Sequence, residues 1–200
     1  MPARLFSFIG GDTGPWRVTT MQVVVGEPLP AARRLAIASA SASASASASA
    51  SASKSPADPH AAWVLRGITS NERYVVREPE RGELVAQQLA LGRPEATCAA
   101  LIPIRKNDAW WKLTQDERQR VFEEQSHHAK IGLQSLPTLA RRLHHCRDLG
   151  DHEPFDFLTW FEYPPAEEAT FERLVADLRA SREWSYVDRE MDIRLVRDPA

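Results

Sequence analysis

Between His127 and Asp148 the chain gathers four of its six histidines, His127, His128, His144 and His145, with three arginines, Arg141, Arg142 and Arg147. Imidazole is a common protein ligand of haem iron, and a guanidinium holds an anion by charge-assisted hydrogen bonds. If His128 and Arg141 were aimed into one cavity from different sides, they would make a two-sided site for haem and an anionic substrate. Plainer readings stand beside this one. Histidines near a helix C-terminus are favoured by the helix dipole whether or not they bind anything. His127, His128, His144, His145 and Cys146 could also be taken as a zinc set, although structural zinc prefers paired ligands at short regular spacing and only one cysteine lies here.

Three further groups could serve such a site. Trp110 and Trp111 follow Arg105 and Lys106, placing two indoles beside two cations; they could clamp a cofactor edge or plug a sheet edge. Glu183, after the last helix, could accept the second N–H of a ligating imidazole and fix its tautomer, or be a surface glutamate. Arg141, Arg142 and Arg147 could form a nucleic-acid patch, but a formal net charge of −2 gives no general attraction to polyanions.

The elements that must position these residues read as follows. Arg4 to Ile9 and Trp16 to Val25 have strand composition, and the Gly10–Pro15 turn between them predicts a hairpin. Ala31 to Ile37 reads as a brief helical turn. Ser39 to Ser53 is strict Ser-Ala alternation, too small and polar to offset its ordering entropy, and is expected to be a disordered linker. Trp63 to Thr69 and Arg73 to Arg77 read as strands, Pro79 to Leu91 as a helix, and Thr97 to Ile104 as a strand buried on both faces. Thr114-Gln-Asp-Glu117 fits a capping box opening a helix to about His128. A break at Gly132 to Pro137 precedes a second helix, Pro137 to about Cys146. Phe155 to Tyr163 is a strand, Pro165 to Leu178 an amphipathic helix, and Tyr186 to Val196 a final strand. This order predicts an α+β, ferredoxin-like sheet with helices on one face.

Two hundred residues, 43% hydrophobic, suffice to enclose a cofactor-sized cavity. Cys98 and Cys146 stand in unrelated contexts, which favours free thiols in a reducing compartment. With no signal-peptide core and no spanning segment, the expected location is cytoplasmic, with no membrane and no nucleic acid among the partners.

Taken together, Ile102-Pro-Ile-Arg-Lys-Asn107 to Trp110-Trp111, Asp116-Glu-Arg118, His128-Ala-Lys-Ile-Gly132, Leu136-Pro to Ala140-Arg-Arg-Leu-His-His145, and Phe155-Asp-Phe-Leu-Thr-Trp-Phe-Glu162 resemble the chlorite dismutase family of haem proteins, over roughly Trp63 to Val196. The resemblance implies a dimeric, ferredoxin-like α+β barrel with two related subdomains, the N-terminal one reduced. The expected divisions are N-terminal strands in 1–38, a linker in 39–60, the rest of the N-terminal part in 61–105, and a haem-binding domain in 96–200. It implies haem b ligated by His128, Glu183 as partner of that imidazole, and Arg141 as the distal arginine. Lys106 and Trp111 would line the haem edge, Tyr74 would contact a propionate, and Leu143, Thr159 and Phe161 would line the distal side. The implied reaction is decomposition of chlorite to chloride and dioxygen, with Arg141 keeping hypochlorite near the iron. Related coproheme decarboxylases commonly have another residue at the Arg141 position. Coproheme decarboxylation, peroxidase activity and a non-catalytic haem carrier or sensor are the rival readings. The compact N-terminal region resembles the dimeric branch, and the Ser-Ala tract departs from the family.

Overall fold

Apolar residues alternate along most strands, so each strand has one face for a barrel interior and one for its outside. The computed structural model describes residues 4–41, 61–69, 89–135, 138–150 and 152–198. The strands are β1 (Arg4–Gly11), β2 (Trp16–Val25), β3 (Arg34–Ser41), β4 (Ala61–Thr69), β5 (Cys98–Lys106), β6 (Ala140–His145), β7 (Phe157–Tyr163) and β8 (Val187–Arg197). They close in the order β1-β3-β2-β8-β5-β7-β6-β4, all neighbours antiparallel. Taken by halves, β1 to β4 lie side by side as β4-β1-β3-β2, and β5 to β8 as β8-β5-β7-β6. The two halves therefore share one strand order. The seams between them are unequal: β2 and β8 pair over eight positions, whereas among the described residues the ladder between β4 and β6 has the single pair Ile68↔His145.

Helices fill the C-terminal half. They are α1 (Asp108–Lys112), α2 (Gln115–Gln119) running into a π-helical stretch (Arg120–Gln125), α3 (His128–Ser135) and α4 (Glu168–Arg179), with single 3-10 turns at Arg147–Leu149, Pro165–Glu167 and Arg182–Tyr186. Thr114 forms the expected capping box: its backbone N–H donates to Glu117 at 2.7 Å, and its hydroxyl accepts from the Glu117 N–H at 3.3 Å.

Two cores lie on opposite faces of the same sheet. Inside the barrel, Phe8, Trp16, Leu35, Leu101, Leu158, Trp160, Met191 and Ile193 pack together, with Trp16 edge-on to Trp160 at 5.2 Å. Outside, Ala100, Ile102, Ile104, Phe161 and Tyr163 of β5 and β7 are covered by Phe171, Leu174, Val175 and Leu178 of α4, with Ile131 of α3 at the margin. Burial on both faces is why β5 reads as a continuous apolar run. Among the described residues no helix is long and apolar enough to cross a membrane.

Several local expectations change. The segment read as a helix from Pro137 is strand β6, because it completes the ladder along β7 from Ala140↔Glu162 to His145↔Phe157. Gly132 lies within α3 and does not break it. The segment read as a helical turn at Ala31 to Ile37 becomes β3, which pairs over its full length with β1. The first two strands do not form a hairpin: β1 pairs with β3 and β4, β2 with β3 and β8. Ser39 to Ser41, the start of the Ser-Ala tract, belong to β3. The rest of that tract, the expected strand Arg73 to Arg77 and most of the expected helix Pro79 to Leu91 lie outside the described residues.

The outer face of β8 carries charge under α4. Arg179 donates to Glu190 at 2.6 Å and to Asp192 at 3.0 Å, and Arg194 also pairs with Asp192. Burial raises the Asp192 carboxyl, but Arg194 and Arg179 outweigh it and hold the group below its ordinary 3.8. A carboxyl held lower in the folded than in the unfolded chain stabilises above the unfolded value, and that contribution is lost as pH falls through the folded value. Urea unfolding of Asp192→Asn should therefore show lower stability at neutral pH and a shallower decline below about pH 4 than the parent. Parallel curves for the two proteins would contradict this.

Candidate functional site

The outer face of β6 meets α3 where Arg141 approaches Gly132, beside the part of β7 that α4 covers. Arg141, Leu143 and His145 stand opposite Phe161, Thr159 and Phe157, so these six share one face. Leu143 is 41% exposed and Phe161 is buried against Phe171 at 5.1 Å between ring centroids. Three sequence-predicted distal residues thus surround Arg141 on one surface. Strand alternation turns His144 the other way, into the barrel between Phe6 and Phe8, where Gly67 of β4 leaves room for it. Its Nδ1–H donates to the Leu158 carbonyl at 3.1 Å, and burial drops its pKa to about 4. His144 and His145 therefore diverge, and among the described residues no three His, Cys, Asp or Glu side chains converge as a metal set.

His128 opens α3. The chain reaches it through His127, whose φ of 50° is the left-handed conformation that ends the π-helical stretch and restarts the helix. The imidazole of His128 stacks on Phe122 at 4.2 Å with planes 20° apart. Its Nδ1 lies 2.7 Å from Glu183 Oε2. Burial alone would raise the Glu183 carboxyl, but His128 and Lys106 bring its pKa down to about 2. An ionised carboxylate only accepts, so Nδ1 carries a proton, and in the neutral ring the lone pair is on Nε2.

Lys106 completes this arrangement from behind. Its side chain is 3% exposed, and Nζ donates to Glu183 Oε1 at 2.8 Å and to the Glu183 carbonyl at 3.3 Å. Trp110 and Trp184 present ring faces to the ammonium at 4.7 and 5.4 Å. The structure thus sets Lys106 against Glu183. Trp111 lies elsewhere, half-buried, donating its indole N–H to Asp156 at 3.3 Å and stacked on Phe157. Tyr74 lies outside the described residues.

Gly132, one turn after His128, faces β6. A Cβ placed there would stand 3.5 Å from Arg141 Nη1, so the helix presents bare backbone where the guanidinium approaches. Arg141 thus rests against α3 one turn after His128.

Three residues the sequence did not mark also hold the site. Ser126, buried just before the two histidines, accepts from the Glu183 backbone N–H at 2.8 Å and ties the Arg182–Tyr186 turn to the π-helical stretch. Phe122 has the look of an ordinary helix-face residue. Asp156 accepts from the Lys106 backbone N–H at 2.7 Å as well as from Trp111. A carboxylate inside the aromatic run Phe155-Asp-Phe157 was the available signal for it; nothing comparable distinguishes Ser126.

The chlorite dismutase family model matches residues 38–197. A curated chlorite dismutase from Ideonella dechloratans is 38% identical over 105 residues, covering 49% of this chain; the matched stretch spans a third of that relative's length, 33%. The solved dimeric chlorite dismutase from Nitrobacter winogradskyi is 50% identical, with a TM-score of 0.82 over 96% of this chain and 99% of that one. Chlorite dismutase from Candidatus Nitrospira defluvii in complex with imidazole is 20% identical and shares the fold, with a TM-score of 0.63 over 98% and 91%.

Replacing Glu183 with Gln removes the counter-charge from a buried ammonium. Urea unfolding of the polypeptide alone should show Glu183→Gln destabilised by about 3–5 kcal/mol, with most of the loss recovered when Lys106→Met is added. A single variant as stable as the parent would show that the pair does not hold this part of the fold.

Proposed function

The chain belongs to the chlorite dismutase family, and from that premise we propose that it is a haem b enzyme decomposing chlorite to chloride and dioxygen. The observation that carries the reading is the pairing of His128 with ionised Glu183 on the helix whose bare Gly132 backbone meets Arg141 of β6.

The donor set suits haem. A neutral imidazole fixed as the Nδ1–H tautomer offers Nε2 to iron, and hydrogen bonding to a carboxylate increases its basicity. Gly132, without a side chain, lets the Arg141 guanidinium come close to the helix that carries His128. When bound, haem supplies the redox-active iron at which a Cl–O bond is broken and the O–O bond is made. The protein's part is to hold and to exclude. Arg141, permanently charged, would hold chlorite and then hypochlorite by charge-assisted hydrogen bonds. Leu143 and Phe161 would keep water away and so strengthen that attraction, with Thr159 as the polar member of the same wall. Lys106 and Trp111 would border the cofactor through Glu183 and Phe157, and Tyr74 would reach a propionate.

The shared β4-β1-β3-β2 and β8-β5-β7-β6 orders support reading each half as a ferredoxin-like unit. In that reading the N-terminal unit comprises β1 to β4 and the haem-binding unit β5 to β8, so residues 39–41, expected in the linker, fall to β3, and residues 98–105, expected in both units, fall to the second. Likeness to a dimeric relative at 50% identity supports a homodimer.

Oxygen evolution from haem-reconstituted protein given chlorite near pH 6 tests the reaction, with one O₂ expected per chlorite. Haem binding without O₂ would overturn it. Arg141→Ala should keep haem but bleach after fewer turnovers as hypochlorite escapes; an unchanged total turnover number would remove Arg141 from that role.

A further inference from the structure

Arg118 has an unsatisfied demand. Its Nε is buried without a hydrogen-bond partner, and among the described residues its side chain has no carboxylate; its one recorded side-chain contact is with the Trp111 ring, 5.6 Å from the centroid. A buried guanidinium N–H left without an acceptor is costly, which marks a place where an acceptor is expected to arrive. A second guanidinium lies on the same indole. Arg147 sits 4.1 Å from the Trp111 centroid and keeps a long 3.4 Å contact with Asp156, while its side chain remains 45% exposed. Two guanidiniums thus share one indole, and of the two Arg147 is the one paired with Asp156.

The cluster adjoins the candidate site from both walls. Arg118 precedes Phe122 by four residues on the continuous helical stretch, and Phe122 stacks on His128. On the sheet side Trp111 stacks on Phe157, which shares its face of β7 with Thr159 and Phe161. From Phe157 to Phe161 is about 13 Å along the strand at ~3.3 Å per residue. The geometry points to Arg118 and Arg147, flanking Trp111, as an oxyanion-binding rim at the end of the site away from Arg141, seating the propionate carboxylates of haem. This rests on the haem reading. Guanidinium is suited to carboxylate because its N–H fork matches both oxygens. Packing over the indole restrains each guanidinium, which reduces the side-chain entropy lost on binding.

The test compares haem b with its dimethyl ester, in which both carboxylates are uncharged, by Soret titration of the apoprotein. Wild type should bind haem b more tightly than the ester. Arg118→Gln should weaken haem b about tenfold and leave the ester unchanged, and Arg118→Lys should recover part of the loss. Arg118→Gln is preferred to a change at Arg147 because it strips no buried carboxylate of its partner, and its unfolding midpoint checks the fold. An equal loss for both ligands would show a structural role and overturn the proposal. If haem b affinity is unmoved but KM for chlorite rises and its salt dependence flattens, the oxyanion seated there is the substrate, and the propionate assignment is overturned. If neither moves, the rim binds no anion. Failure of wild type to bind either haem would sink the haem reading itself, and the rim with it.

Discussion

Glu183 carries its negative charge at a position only 5% exposed, and much of the C-terminal half is arranged around that fact. A buried carboxylate survives ionised only when its charge is paired and its oxygens are bonded. Here Lys106 takes one oxygen and His128 the other, while Ser126 holds the backbone N–H of the same residue. These partners come from the end of β5, the start of α3 and the end of the π-helical stretch. One residue thus joins the end of β5 and the junction of the π-helical stretch with α3 to the turn before β8. The consequence for chemistry is direct: because Glu183 can only accept, the neutral imidazole has one tautomer, with its lone pair on Nε2.

The barrel makes this possible by using both faces of its sheet. The interior is filled by aromatic and aliphatic side chains, so the closed sheet is a rigid plate, and the outer face of β5, β6 and β7 remains for helices and a ligand. Where α4 covers that face the contact is apolar, with a buried ion network at β8. Where α3 approaches β6, glycine replaces a side chain and an arginine enters. The difference between the two helices is the difference between structural cover and a site.

Much of this was legible in the chain. β2, β5, β7, α4 and β8 were readable because their periodicity and length are unambiguous, and the Thr114 capping box because its chemistry is local. Residue chemistry suggested His128, Arg141 and Glu183 as one reading among several, and the family resemblance singled it out; the contact of His128 with Glu183, 55 residues apart, exists only in three dimensions. β6 was misread because Pro137 and a basic, histidine-rich segment mimic a helix start, while its strand character comes from six pairings with β7 that no local pattern reveals. β3 was hidden for the same reason: Ala-rich residues are strand there only because β1 lies alongside. The role of Lys106 was partly missed, because a lysine beside two tryptophans looks like a snorkelling surface cation until its carboxylate is found.

The tautomer of His128 is the most direct point at which to test this account. Long-range ¹H–¹⁵N NMR of the haem-free chain at mildly alkaline pH should show His128 protonated at Nδ1 and bare at Nε2, and Glu183→Gln should disturb that state. A proton found on Nε2 in the parent protein would contradict it, because the nitrogen needed for a ligand would then be blocked and the Glu183 interaction would not be setting the ring.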